Sequence, residues 1–230
     1  MKPFIQRDVQ IPSGSVTLQG ALCLPAGAPG VVLFAHGSGS SRSSPRNVFV
    51  ARVLQQAGLA TLLFDLLTSQ EERIDLHTRE YRFDIGLLTR RLCDATLWLG
   101  SQATLRSLVI GYFGASTGSA AALAAAAQLG NRIAAVVSRG GRPDLVAAPQ
   151  LARVSAAVLL IVGGDDEDVL ELNRQAFQDL PGEKQLAVVA GASHLFEEPG
   201  ALEEVARLAA AWFSKHLQSG PADPPSLAAK

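Results

Sequence analysis

The sequence is poor in cysteine and in aromatic residues, and its formal net charge is only -1. Cys23 and Cys93 are its only cysteines and have no metal-binding spacing, so we expect buried, reduced thiols rather than a zinc site or a disulfide framework. The 20 basic and 21 acidic residues are mixed along the chain. This mixture offers no cationic tract, and we expect neither nucleic acid nor a membrane as a partner.

Long apolar runs are also missing. No run reaches the ~20 residues that a membrane-spanning helix needs, and residues 1–8 lack the apolar stretch of a signal peptide. We therefore expect a cytoplasmic protein. The 48% of hydrophobic residues is enough for a sizeable core, and no linker or repeat divides the chain. The sequence predicts one domain over residues 1–218 and a disordered Pro/Ala/Ser-rich tail over 219–230.

Short apolar runs alternate with helix-forming segments along most of the chain. This alternation predicts an α/β fold, with a mostly parallel sheet covered by helices on both faces and a hairpin within residues 4–24 at one edge. The expected strands are 31–35, 59–64, 105–110, 133–137, 157–162 and 184–189, and the expected helices are 45–58, 84–99, 119–127, 145–152, 169–180 and 201–217. Polar residues 68–81 are expected to be irregular and are too few for a cap domain.

A G-x-S-x-G pattern, formed by Gly114, Ser116 and Gly118, follows one predicted strand and precedes the alanine-rich helix. A sharp strand-to-helix turn has room only for small neighbours, and it holds the serine hydroxyl above the sheet at the positive end of the helix. The pattern alone is weak, and a flexible loop would also explain it. Its place between two well-formed elements favours a nucleophilic serine.

A serine hydroxyl needs a base to take its proton and an acid to orient that base. Of the four histidines, His194 alone follows the last predicted strand; His36 is expected to shape its Gly/Ser loop, and His77 and His216 to lie on the surface. The acid is expected on the turn after strand 157–162, where Asp166 is preferred over Asp165 and then Asp168. The order serine, acid, histidine matches the α/β-hydrolase arrangement.

The developing oxyanion of such a reaction needs backbone N–H donors. Thr117, directly after the nucleophile, is one expected donor. The second is expected from the loop after His36, with Ser38 as first choice and Gly39 as reserve. That loop lacks the Gly-Lys-Ser/Thr ending of a phosphate-binding loop and the spacing of a dinucleotide fingerprint, which disfavours a nucleotide site.

With these residues in view, the chain resembles the α/β-hydrolase superfamily over residues 4–217, and its cap-less shape is similar to the dienelactone hydrolase-like group. Four short sequence motifs resemble those of a bacterial branch of that group; they span residues 36–41, 63–65, 138–144 and 163–166. Some members of that branch are fused to phosphoribosyltransferase-like domains. The resemblance implies an ester hydrolase that uses Ser116, Asp166 and His194. Dienelactone hydrolases proper use a cysteine where this chain has Ser116, so the lactone substrate is not carried over.

Together these features predict a serine hydrolase that cleaves small or short-acyl carboxylic esters through an acyl-enzyme, without a cofactor. The alternatives are a non-catalytic binding or accessory protein with the same fold, or an acyltransferase or peptidase with the same triad. Arg139 and Arg142 follow a predicted strand end. One of them could bind a substrate carboxylate, or both could brace the loop through Asp144 or the acidic turn.

Overall fold

An eight-stranded sheet forms the centre of the structure, a computed structural model that describes residues 4–218. In chain order the strands are β1 (Phe4–Ser13), β2 (Val16–Pro25), β3 (Gly30–Ala35), β4 (Ala60–Phe64), β5 (Val109–Ala115), β6 (Ile133–Arg139), β7 (Ala157–Gly163) and β8 (Lys184–Val189). Across the sheet they lie in the order β1-β2-β4-β3-β5-β6-β7-β8. The hairpin of β1 and β2 is antiparallel and lies at one edge, and strands β3 to β8 are parallel, as predicted.

Helices cover both faces of this sheet. They are α1 (Pro45–Gln56), α2 (Ser69–Thr78), α3 (Ile85–Ser101), α4 (Thr117–Leu129), α5 (Ala148–Leu151), α6 (Glu167–Asp179) and α7 (Ala201–His216). Helices α1 and α7 pack together on one face, and α3 and α4 on the other, so each face has its own apolar core. The fully buried central strands explain why their sequences read as continuous apolar runs.

The segment 68–81 is not irregular, which corrects the expectation from its polarity. Helix α2 begins with a capping box, in which Thr68 Oγ1 accepts a hydrogen bond from the Glu71 N–H and Glu71 Oε2 accepts one from the Thr68 N–H. Charged contacts then replace an apolar face, because Arg91 pairs with Glu71 and Arg82 with Asp75, each at 2.5 Å. The T-x-x-E pattern was the signal in the sequence for this helix.

Several other boundaries differ from the predictions, most of them by only one or two residues. Strand β5 begins at Val109 rather than 105, because hydrogen-bonded turns occupy the preceding residues, and it continues as far as Ala115. Helix α3 starts after its Asp84 cap as predicted but runs through Gly100. The helix predicted over 145–152 is a 3₁₀ turn at Pro143–Leu145 followed by the single turn of α5.

Both cysteines carry free thiols. Cys23 is buried on β2, which lies between β1 and β4 and is therefore not an edge strand, whereas Cys93 is only half-buried on α3. Burial raises the pKa of the Cys93 thiol to about 11. In residues 4–218 no helix is both long and apolar enough to cross a bilayer. The tail predicted over 219–230 lies outside the described residues.

Candidate active site

Ser116 stands at the turn between β5 and α4 with φ +51° and ψ −121°, a conformation that residues with a side chain rarely adopt. Its flanking glycines are required by close packing. A Cβ on Gly114 would lie 2.5 Å from the Ser119 Cα, and one on Gly118 would lie 2.2 Å from the Ala35 carbonyl oxygen. Strain of this kind is typical of functional turns, and here it lifts the serine out of the sheet.

His194 and Asp166 meet at the same end of the sheet. Asp166 lies between β7 and α6, directly before the helix, and His194 lies in the loop after β8. His194 Nδ1 lies 2.7 Å from Asp166 Oδ2. A carboxylate oxygen accepts hydrogen bonds, so this contact suits a neutral ring that donates from Nδ1 and leaves the lone pair of Nε2 for a proton from the serine. No direct hydrogen bond joins Ser116 Oγ to His194 within residues 4–218; such bonds often tighten only when substrate binds.

The other candidates for acid and base lie elsewhere. Asp165 and Asp168 are exposed, as is His77. His36 is buried and braces its loop: Nε2 accepts a hydrogen bond from the Leu66 N–H at 3.0 Å, and Nδ1 lies 3.1 Å from the Gly37 carbonyl oxygen. Burial lowers the pKa of His36, which keeps the ring neutral for these two bonds.

His216 is not a surface residue, contrary to expectation. Only 13% of its side chain is exposed, because the ring packs on Trp212 with ring centres 4.6 Å apart. Burial lowers the pKa of His216. It lies on α7, which packs with α1 on one face of the sheet, and it does not line the cavity at Ser116.

The two expected oxyanion donors are neighbours. Ser38 Oγ lies 2.9 Å from Thr117 Oγ1, which ties the exposed loop after His36 to the first turn of α4. Thr117 is buried at the start of that helix, where the first backbone N–H groups have no partner within the helix. Gly39, the reserve, is exposed with φ +67°.

Two cavities flank this turn. The α2 cavity, of about 310 Å³, lies between the loop after His36 and α2, and its apolar lining includes Leu66, Leu67, Leu76 and Leu88. The α1 cavity, of about 220 Å³, contains the chemistry, because its lining includes Ser116, His194, Arg139, Arg46 and Asn47. Both volumes are near or below the lower end of typical ligand pockets, which run from about 300 to 1,000 Å³.

The two arginines at the end of β6 and just beyond it behave differently. Arg142 forms a bidentate pair with Asp144, at 2.8 and 2.7 Å. For Arg142 this agrees with the interpretation that the arginine braces the loop. Arg139 is buried and its backbone carbonyl accepts the Ser116 N–H at 3.1 Å. Arg46 and Asn47 on α1 were not anticipated, since nothing in the sequence of α1 marks two residues that line a cavity with Ser116.

A dienelactone hydrolase from Anabaena variabilis, whose structure is known, is 57% identical to this chain. The match covers 94% of this chain and 99% of that one, with a TM-score of 0.92. The chain belongs to the dienelactone hydrolase family. More distant members of the α/β-hydrolase superfamily share the fold, among them a dienelactone hydrolase-like promiscuous phosphotriesterase (20% identity, TM-score 0.74, covering 93% and 99%) and Est1E from Butyrivibrio proteoclasticus (15%, TM-score 0.76, covering 91% and 98%).

A curated relative bears a different name. A protein of Mycobacterium tuberculosis named "Putative phosphoribosyl transferase" is 57% identical over 215 residues, which are 94% of this chain but 47% of that protein. The chain therefore spans about half the length of the curated relatives it matches. No protein-family model matches the chain.

Proposed function

We propose that this chain is a serine hydrolase that cleaves small carboxylic esters, with Ser116 as nucleophile, His194 as general base and Asp166 as the acid that orients it. The observation that carries the proposal is the hydrogen bond from Asp166 to His194, a histidine that lines one cavity with the strained Ser116. Membership of the dienelactone hydrolase family and the esterase folds of distant neighbours support hydrolysis.

In the proposed reaction, His194 Nε2 takes the hydroxyl proton as Ser116 Oγ attacks the carbonyl carbon of the ester. Asp166 stabilises the imidazolium that forms. The N–H groups of Thr117 and Ser38 are the proposed donors to the oxyanion, at the N-terminus of α4. His194 then gives its proton to the departing alcohol, and a water activated by the same nitrogen releases the acid from Ser116.

Hydrolysis of p-nitrophenyl esters from acetate to long acyl chains tests this proposal. We expect rates that fall with chain length, because the α1 cavity is small, and a loss of roughly 10⁴–10⁶-fold in Ser116→Ala. Ser101→Ala, which changes an exposed serine at the end of α3, is the matched control and should keep full activity. Full activity of Ser116→Ala would remove this mechanism.

Two related outcomes separate the other interpretations. If an added alcohol captures the acyl group in place of water, the chain is an acyltransferase rather than a hydrolase. If a folded sample neither cleaves any ester nor reacts with a fluorophosphonate probe, the fold serves binding.

The activity in the name of the curated relatives is tested by supplying phosphoribosyl pyrophosphate and a nucleobase. Nucleotide formation that survives Ser116→Ala would favour a transferase.

A further inference from the structure

The turn at the end of β6 contacts the proposed catalytic residues through its backbone. This turn, residues 139–142, is called the glycine turn below. The Ser116 N–H donates to the Arg139 carbonyl at 3.1 Å, and the Ser116 carbonyl accepts the Arg142 N–H at 3.3 Å. The turn belongs to the motif 138–144, which contains neither the nucleophile, the base nor the acid of the proposed reaction. The chemistry of the triad therefore does not by itself explain the motif.

The His194 ring lies against the same turn. A Cβ on Gly140 would lie 3.4 Å from both Nδ1 and Cε1 of His194, and 3.3 Å from its carbonyl oxygen. Gly140 also has φ +51°, a conformation that favours glycine. The His194 side chain is 37% exposed, and its hydrogen bond is to Asp166. The place of the ring therefore depends on the glycine turn as well as on Asp166.

Asn173 joins the glycine turn to α6. Its side chain is fully buried, and its Nδ2 donates to the Gly141 carbonyl at 2.9 Å and to the Val169 carbonyl at 2.8 Å. Both acceptors are carbonyl oxygens, so the amide nitrogen has to face them. Asp166 directly precedes this helix. The helix that follows the acid of the triad thus also holds the turn on which the base lies.

Stability alone does not explain an asparagine at this position. Asn173 Oδ1 is buried and has no hydrogen-bond partner among residues 4–218. A buried acceptor without a partner lowers the free energy of unfolding, and an apolar side chain of similar size would avoid that loss. What the asparagine supplies is the pair of hydrogen bonds from Nδ2. One of them ends on the glycine turn, which points to a role for Asn173 at the site.

We propose that Asn173 is a positioning residue that holds the glycine turn in place for catalysis. The turn then fixes the His194 ring where Nδ1 reaches Asp166. This inference rests on the proposed function, in which His194 moves the protons. Asn173 does not line the cavity at Ser116 and acts only through the turn. Support of this kind matters because a displacement of about 1 Å at a catalytic group can lower the rate about a hundredfold.

The first test is Asn173→Leu, which removes the donor and keeps a side chain of similar size. We expect kcat for p-nitrophenyl acetate to fall about ten- to a hundredfold, with KM changed less than about threefold, because the ring is displaced while the ester still binds. Thr61→Val is the matched control. Thr61 is fully buried and accepts a hydrogen bond from Gln55 Nε2 at 2.7 Å, but it lines neither cavity beside Ser116. Its loss should leave kcat unchanged.

A second test changes the turn itself. In Gly140→Ala the new Cβ would press on His194, and kcat should fall at least about tenfold. Gly130→Ala is the control for backbone strain, since Gly130 has φ +55° and a Cβ there would meet no atom within 4 Å. It should keep full activity. Circular dichroism checks that every variant is folded at the assay temperature.

A double-mutant cycle separates positioning from a general loss of structure. In the Asp166→Asn background the ring has already lost its other support, so Asn173→Leu should lower kcat by a much smaller factor than it does in the wild type. A purely structural role would give the same factor in both backgrounds. If leucine prevents folding, Asn173→Ala removes the same donor without adding bulk and takes its place in the cycle.

The outcomes separate this inference from the proposed function. If esters are cleaved through Ser116 but Asn173→Leu lowers kcat no more than Thr61→Val, the inference is wrong and the proposed function stands. The same holds if Gly140→Ala and Gly130→Ala are equally active, or if the factor is the same in both backgrounds of the cycle. If no ester is cleaved and Ser116 does not react with a fluorophosphonate probe, both fail.

Discussion

Buried charges are paired on the α2 side of the turn at Ser116 and unpaired on the α1 side. On the α2 side, Arg91 is 4% exposed and meets Glu71 at 2.5 Å, and Asp75 accepts hydrogen bonds from the backbone and the guanidinium of Arg82. On the α1 side, Arg139 is 7% exposed and faces the Phe196 ring, with no carboxylate of the described chain to offset it. The two arginines are almost equally buried, but only Arg91 has a carboxylate partner among the described residues.

The two arrangements have different consequences for stability. A buried ion pair fixes a helix that has few apolar contacts, and its charges are complete without any ligand. A buried cation without a partner carries a desolvation cost that nothing in the described part of the chain offsets. The same chain thus pairs buried charge where it holds α2 and leaves a buried charge unpaired in the wall of the cavity at Ser116.

Among substitutions of the paired charged groups, the largest effect is expected for Asp166, whose partner is the proposed base His194. Asp166→Asn should lower kcat/KM for esters by about 10³–10⁴-fold, because an amide no longer fixes the His194 tautomer or stabilises the imidazolium. Asp165→Asn is the matched control, since the carboxylate that pairs with His194 is that of Asp166 and Asp165 is an exposed neighbour. Steady-state kinetics check this, and equal losses in the two variants would contradict the assignment of Asp166.

On the paired flank, Arg91→Met should lower the free energy of unfolding by roughly 3 kcal/mol, because Glu71 would keep its charge without a partner. The Leu66 carbonyl would also lose its hydrogen bond from the Arg91 Nη1 at 2.8 Å. Urea denaturation followed by circular dichroism measures the change. A loss below about 0.5 kcal/mol would place this pair with ordinary surface ion pairs.

On the unpaired flank, Arg139→Met should raise the free energy of unfolding by about 1 kcal/mol, because it removes a buried charge while its side chain can still pack on Phe196. The same denaturation experiment applies, with Arg52→Met as the exposed control. Opposite signs for Arg91→Met and Arg139→Met are the sharpest form of the comparison. A loss of several kcal/mol in Arg139→Met would mean that the cation has a structural partner.

The smallest expected effect is a pH dependence confined to the paired flank. Burial alone would raise the pKa of Asp75, but hydrogen bonds and charge from Arg82 outweigh it and lower that pKa below 3.8. Burial would also raise the pKa of Glu71. The hydrogen bonds from Arg91 and Thr68 and the charge of Arg91 outweigh burial and lower that pKa below 4.5. The unfolded chain therefore takes up these protons first as the pH falls.

This sign means that the stabilisation is complete above about pH 5 and is lost as the pH falls through the ordinary carboxyl range toward the lower folded-state values. Melting temperatures measured between about pH 7 and pH 4 should fall less steeply in Asp75→Asn than in the wild type. If the melting temperatures of the two proteins fall equally with pH, Asp75 does not contribute to the pH dependence of stability.

Much of the fold follows from apolar periodicity, because strands buried on both faces read as continuous apolar runs. The places of Ser116, Asp166 and His194 follow as well, since each lies within a few residues of the end of a parallel strand. The carboxyl ends of parallel strands meet at one edge of a sheet. The position of β5 was harder to predict, because Gly111 and Gly114 interrupt its apolar pattern. They are glycines because Phe213 and Ser119 pack against the strand there.

The parts that sequence patterns did not predict depend on contacts between distant residues. Helix α2 has little apolar periodicity and is held by Arg91 and Arg82. His216 is covered by Trp212, its neighbour one helical turn earlier. That Arg139 lacks a partner, whereas Arg142 has Asp144, cannot be read from two arginines three residues apart.

The most direct test is the mass of the protein during turnover. After rapid mixing with p-nitrophenyl acetate and acid quenching, intact mass spectrometry should find one added acetyl group, and peptide mapping should assign it to Ser116. Ser116→Ala should carry no acetyl group. Ester cleavage without an acyl adduct on Ser116, or an adduct on another residue that forms equally in Ser116→Ala, would contradict the proposed serine hydrolase.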